Sequence, residues 1–182
     1  GDYYNGTYAT GAFKNDSTRN AIESVVWNLG GTANYQSSSN GLASHFYGYE
    51  RGTTVYSGRP TTWTGKIALM YPSDYGYATA GGTTTNRASC LAEELYNWDG
   101  SGVSDCKNND YLFKSSYYQW TLAPDSSSSG LAFFVRTGGY VVNGYGVGNA
   151  YGVRPTAYLK SSISITDVGT GTAESPFQLS VQ

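Results

Sequence analysis

One histidine, two cysteines and a scatter of carboxylates are the residues with which this sequence could do chemistry. A Ser-His-Asp triad would have to use His45, and His45 lies in Gly-Leu-Ala-Ser-His-Phe with no Gly-x-Ser-x-Gly nucleophile elbow around it. A lone histidine of this kind reads as structural or surface. Zinc needs four ligands at close spacing, and one histidine with two separated cysteines does not supply them. The carboxylates Glu50, Asp74, Glu93, Glu94, Asp99, Asp105 and Asp110 follow no catalytic spacing, and Glu93 with Glu94 reads as the solvated face of a helix. No glycine loop of the phosphate-cradling or dinucleotide type occurs. The expectation is a protein that is not an enzyme and holds no metal or cofactor.

Cys90 and Cys106 make an even pair without metal-type spacing. The composition, rich in Ser, Thr, Asn and Gly and poor in Lys, has an extracellular character, and a disulfide persists in that compartment. Cys90–Cys106 is therefore expected to be bonded, the other outcome being two buried free thiols. Net charge is −2, which provides no basic field for nucleic acid. No apolar run has the length of a membrane span. The sequence reads as a mature product or an excised ectodomain, one domain over residues 1–182.

Recognition chemistry is better represented. Only 13% of residues are charged, and polarity comes from hydroxyls, amides and 18 tyrosines against 6 phenylalanines. A buried phenol must find a hydrogen-bond partner, so a tyrosine excess points to half-exposed rings. Tyr, Asn, Ser and Gly are also the residues of adaptable binding surfaces. They concentrate late in the chain, and the candidate ligand-binding residues are Tyr117, Tyr118, Tyr140, Asn143, Tyr145, Asn149 and Tyr151. Strict strand alternation would send Tyr145 and Val147 to one face, but Gly144, Gly146 and Gly148 blur that alternation toward an irregular loop.

The elements that must hold these residues are short. Asp16, Ser17 or Thr18 caps an expected helix in which Ala21, Val25 and Leu29 make one apolar face, ended by Gly30-Gly31. A second helix is expected over residues 88–98, with Leu91 and Leu95 four apart. Residues 67–70 read as a strand stopped by Pro72. Residues 130–147 read as a hairpin turning at Gly138-Gly139. Strands follow at 151–160, 163–168 and 177–181. The class is α+β: two short helices, a mainly antiparallel twisted sheet and long loops.

The cadence of residues 63–179 resembles a group of surface proteins of Firmicutes and related bacteria, many with prepilin-type N-terminal segments. Trp120, Leu122 and Pro124, then Phe134 and Gly139, then Gly152, Val153, Arg154 and Pro155 also resemble elements of the C-type-lectin-like fold, in its formylglycine-generating-enzyme-like branch. That resemblance implies a C-type-lectin-like display scaffold, with Trp120, Arg154 and Pro155 in structural roles. The enzymes of the branch use two cysteines close together near the chain end; Cys90 and Cys106 lie well upstream, which argues against oxidase activity and its copper. Asn97-Trp98-Asp99 is similar, in a different order, to the calcium-binding element of some lectins, and no Glu-Pro-Asn element accompanies it. The implied function is recognition or adhesion at a bacterial surface or pilus, toward a protein or glycan ligand. Residues 115–151 match in place and composition the variable segment of retroelement-diversified proteins. The alternative is a pilin-like structural subunit that assembles into a filament.

Overall fold

The computed structural model describes residues 19–172 and 174–181. The order of elements is β1 (Val25–Asn28), α1 (Ala43–Glu50), β2 (Thr62–Gly65), β3 (Ile67–Leu69), α2 (Pro72–Tyr77), α3 (Arg87–Leu91) and α4 (Ser104–Asn108). Then come β4 (Gln119–Pro124), β5 (Ala132–Val135), β6 (Val141–Val142), β7 (Pro155–Ala157), β8 (Ile163–Ile165) and β9 (Leu179–Val181). The class is α+β. The expected long sheet is instead several small ones: a three-stranded sheet in the order β4-β5-β6, and strand pairs.

The chain gathers into two compact units. One comprises Gly1–Val25, Thr64–Ile67 and Thr156–Gln182; the other comprises Val26–Trp63 and Ala68–Pro155. In the first, Ile22 and Leu159 form an antiparallel bridge, with Glu23 N donating to Tyr158 O at 2.8 Å and Lys160 N to Ala21 O at 2.9 Å. The chain-closing strands β8 and β9 pair antiparallel, Ile165 opposite Leu179. The turn between them needs Gly169, whose φ is +98° and where a Cβ would stand 2.2 Å from the Pro176 carbonyl.

The first expected helix is corrected over its later part: Arg19 and Asn20 are helical, but the helix does not run on to Leu29. Asp16, Ser17 and Thr18 lie outside the described residues, while Val25–Asn28 is a strand. Val26 is 62% exposed and Trp27 2%, a two-residue alternation. The β-branched Ile22, Val25 and Val26 next to an aromatic favour that state, and the i, i+4 spacing of Ala21 and Val25 is incidental. The second expected helix is cut short. It starts as read, with the Asn86 side chain accepting from Ser89 N at 3.0 Å, but stops at Leu91. Leu95 N donates to Gly41 O at 2.9 Å instead of to a carbonyl one turn back. This tertiary bond reorients Leu95 into the core, and only a 3-10 turn follows. Pro72 does end β3, and it opens α2, where a first-turn proline loses no hydrogen bond.

The core of the second unit lies between α1, α2 and the inner face of β4-β5-β6. Phe133 is its centre, met edge-on by Tyr35 at 5.0 Å and by Phe46 at 5.1 Å between ring centroids. Tyr75, Trp98, Leu95 and Val135 are fully buried around it. Edge-to-face aromatic pairs add to area burial through the ring quadrupoles. Cys90 and Cys106 are bonded, Sγ–Sγ 2.08 Å, and both are buried against this core. The bond ties α3 to α4 across a connection that holds two short 3-10 turns, Leu95–Asn97 and Ser101–Val103.

Candidate functional site

Strand β4 alternates strictly: Gln119, Thr121 and Ala123 are buried, and Trp120, Leu122 and Pro124 face outward. Its antiparallel partner β5 sets Phe134 opposite Trp120. Phe133 and Val135 point into the core, so Phe134 belongs to the outer face. Yet Phe134 is 0% exposed. Its cover is aromatic. The rings of Tyr151, Trp120, Tyr118 and Tyr145 lie 5.2, 5.5, 5.6 and 5.7 Å from it.

Residues 143–152 fold back over the outer face to supply two of those rings. Backbone bonds fix the segment at two points. Gly146 bridges Leu131, with Val147 N donating to Gly130 O at 2.9 Å. Gly152 bridges Gln119, with Trp120 N donating to Gly152 O at 2.9 Å and Gly152 N to Tyr118 O at 2.8 Å. Trp120 Nε1 adds a bond to Asn149 O at 3.2 Å, and the Trp120 and Tyr151 rings stack at 4.7 Å. Just before the first fixed point Tyr145 stays 43% exposed, and between the two Asn149 is exposed.

Arg136, just after β5, extends the cluster. Its Nη1 donates to Tyr140 Oη at 2.5 Å and its Nη2 to Tyr118 Oη at 2.9 Å. The guanidinium carbon lies 5.2 Å from the Tyr118 and Tyr140 ring centroids and 5.7 Å from that of Tyr145, within cation–π range. The Gly138-Gly139 turn that brings Tyr140 back to Arg136 is held from the core: Tyr75 Oη donates to Gly139 O at 2.6 Å and Lys107 Nζ to Gly138 O at 2.7 Å. Gly139 has φ +89° and packs on the Lys107 side chain, so glycine is required there. Burial pushes the Tyr140 phenol above its ordinary pKa, which keeps it a neutral hydroxyl at physiological pH.

Four of the seven tyrosine and asparagine candidates thus come together: Tyr118, Tyr140, Tyr145 and Tyr151. Asn149 borders them through its carbonyl, and its side-chain amide donates to Gly146 O at 2.8 Å. Tyr117 is 44% exposed on its own account, its ring lying over Gly152. Asn143 is turned inward instead: it is 9% exposed, and its amide is hydrogen-bonded to the Asp125 carboxylate. Asp125 in turn accepts from Ser127 N and Oγ, closing the base of the loop. Arg136 and Phe134 carry the cluster but are not among the candidates from sequence. Their signal is the β5 alternation, which sets Phe134 outward beside an arginine.

Beyond the rings, the same outer face opens into an apolar groove of about 330 Å³. Leu122, Pro124 and Ala132 form its floor, and Val147, Tyr56 and Arg59 its rim. The groove and the aromatic cluster are the two ends of one strand face.

Arg154 holds the start of that face. Its Nη2 donates to Leu112 O at 3.0 Å and to Gln119 Oε1 at 3.3 Å, and Gln119 Nε2 also reaches Leu112 O. Gln119 is therefore locked inward, which sends Tyr118 and Trp120 outward. Pro155 opens β7, a position where a missing N–H is tolerated. His45 serves a local purpose: its Nδ1 accepts from Leu42 N at the start of α1, at 3.3 Å. Asn97 bonds to the Glu93 and Glu94 carboxylates, and Trp98 between Asn97 and Asp99 is buried. Among the described residues no three His, Cys, Asp or Glu side chains are grouped to hold a metal, and no helix is long and apolar enough to cross a membrane.

Compared with protein-family models, curated proteins and solved structures, the chain matches none.

Proposed function

We propose that the chain is a non-catalytic extracellular recognition module, built on a C-type-lectin-like scaffold and displayed at a bacterial surface or pilus. Its ligand, a protein or glycan, is met by the outer face of β4–β5 and the 143–152 segment. The observation that carries this reading is the cover of Phe134. A phenylalanine on the outer strand face is sealed by three tyrosines and a tryptophan, one of them half exposed, with an arginine beside them. Tyr, Trp and Arg dominate binding hot spots, Tyr and Trp because they bring large contact area with few rotatable bonds and Arg through its planar fork of donors. A loop fixed through its backbone at Gly146 and Gly152 carries exposed positions such as Gly148, Asn149 and Ala150 in between, the kind of place where a diversified ligand-binding protein varies. The Cys90–Cys106 bond supports an oxidising compartment.

The test pans a glycan array and a peptide-display library in parallel against wild type, Tyr145→Ala and Tyr151→Ala. Binders selected on wild type are expected to lose ten-fold or more in affinity for both variants, about the 1.4 kcal/mol or more of a hot-spot residue. Tyr145→Ala is expected to lower stability by only about 1 kcal/mol, since its ring is half exposed. Unchanged affinity in both variants contradicts the assignment of this face.

A further inference from the structure

The Arg136 cluster has a chemical bias that the recognition reading alone does not require. An arginine side chain has only donors. Two of its N–H groups are committed to phenol oxygens, which leaves the rest of the fork and both phenol hydrogens available. Among the described residues no carboxylate forms an ion pair with Arg136; Asp99 acts on Tyr140 electrostatically but does not reach the guanidinium. The Asn143 and Asn149 amide nitrogens donate to the Asp125 carboxylate and to Gly146 O, and Asp125 also accepts from Ser127, so this acid is directed away from the guanidinium. The result is a half-buried positive charge, framed by rings and surrounded by donors, on a protein whose net charge is −2. A net charge of −2 gives the molecule no general attraction to polyanions.

We propose, resting on the recognition reading above, that this surface takes an acidic peptide segment of a protein partner. A carboxylate docks on Arg136 between Tyr118 and Tyr140, and a neighbouring aromatic or apolar side chain lies against Tyr145 and Tyr151. The charge complementarity is direct: a planar guanidinium fork matches a carboxylate in two parallel hydrogen bonds. A neutral sugar offers the guanidinium no charge to pair with, whereas a carboxylate does. Rings that accept an apolar side chain next to the charge favour a peptide in which acidic and aromatic residues are adjacent.

The experiment measures binding of immobilised protein to a random glutamate–tyrosine copolymer, a lysine–tyrosine copolymer and polygalacturonate. Wild type is expected to retain the glutamate–tyrosine copolymer, to ignore the lysine–tyrosine copolymer, and to weaken when salt rises from about 50 to about 500 mM, as a partly exposed charge contact must. Arg136→Gln is expected to lose about ten-fold or more, and Arg136→Lys, which keeps the charge without the fork, to lose less. Tyr140→Phe, which retains the ring and removes one donor, is expected to keep its melting temperature and weaken binding about three-fold. Absence of glutamate–tyrosine binding, equal binding by Arg136→Gln, or salt-independent binding overturns the proposal. Arg136-dependent binding of polygalacturonate in preference to the copolymer also overturns it, in favour of an acidic glycan. If panned binders depend on Tyr145 but not on Arg136, the anion site fails and the recognition face stands; if they depend on neither, both fail.

Discussion

Arg154 and Arg59 are the same residue type in opposite circumstances. Arg154 holds Leu112 O and Gln119 Oε1 from a site where its Nε is buried, next to the buried Asp110. Among the described residues Arg59 reaches Ser129 O, at 3.2 Å, from an exposed position. Removing the first leaves the side-chain oxygen of the buried Gln119 without this partner, while Leu112 O keeps only its bond from Gln119 Nε2, at a cost on the order of 2–3 kcal/mol; removing the second costs little. Arg154→Ala is therefore expected to melt roughly 5–10 °C below wild type and Arg59→Ala within about 2 °C of it. Equal melting temperatures would refute the anchoring role. Because Gln119 is locked through Arg154, the same substitution is also expected to loosen the ring cluster, readable as a change in Trp120 fluorescence. The role of Arg154 is legible in the sequence, since an arginine next to a proline after a glycine-rich stretch marks a fixed point. That of Asn143 is not: nothing in its neighbours shows that Asp125, far back in the chain, claims its amide.

At the scale of elements, the Cys90–Cys106 bond connects α3 and α4 where neither helix is longer than five residues. Helices that short have no independent stability. Closing a loop with a separation of 16 residues stabilises by roughly 3 kcal/mol in the chain-entropy model. Reduction is expected to raise hydrogen exchange across residues 90–106 first, while β4–β5 stays protected; two thiols alkylated in the native, unreduced protein would show that the bond does not form. Elements are legible where one local rule decides. The hairpin turn at Gly138-Gly139 and the stop at Pro72 are of this kind. The strand Val25–Asn28 reads as helix from sequence because helical spacing and two-residue alternation coexist there, and only packing of Trp27 chooses between them. The proposed recognition face is half legible. Composition points to the late tyrosines, but their gathering over Phe134 depends on Gly146 and Gly152 bonding to distant strands, which no local pattern records.

At the scale of the whole molecule, two buried carboxyls make stability depend on pH. Glu50 is fully buried, accepting from Ser73 N at 2.9 Å and from the Ser73 hydroxyl, and burial pushes its carboxyl up to about 7. Burial likewise pushes Asp110 up to about 7, against the bonds from Leu112 and Phe113 N–H groups and the Arg154 charge that lower it. Both groups bind a proton more tightly in the folded chain than in the unfolded one. Their stabilising contribution is complete below the ordinary carboxylate range near 4 and is lost as pH rises to about 7. Each tenfold gain in proton affinity on folding is worth about 1.4 kcal/mol. The melting temperature is thus expected to be higher at pH 5 than at pH 8, by the equivalent of several kcal/mol. Glu50→Gln is expected to flatten the profile; a rise in stability from pH 5 to pH 8 contradicts this assignment. The central claim concerns the outer face of β4–β5, and hydrogen exchange of the chain with and without a binder panned on wild type tests it most directly. The account predicts new protection in residues 143–152 and around Arg136 and Tyr140; protection confined to segments away from these residues would contradict it.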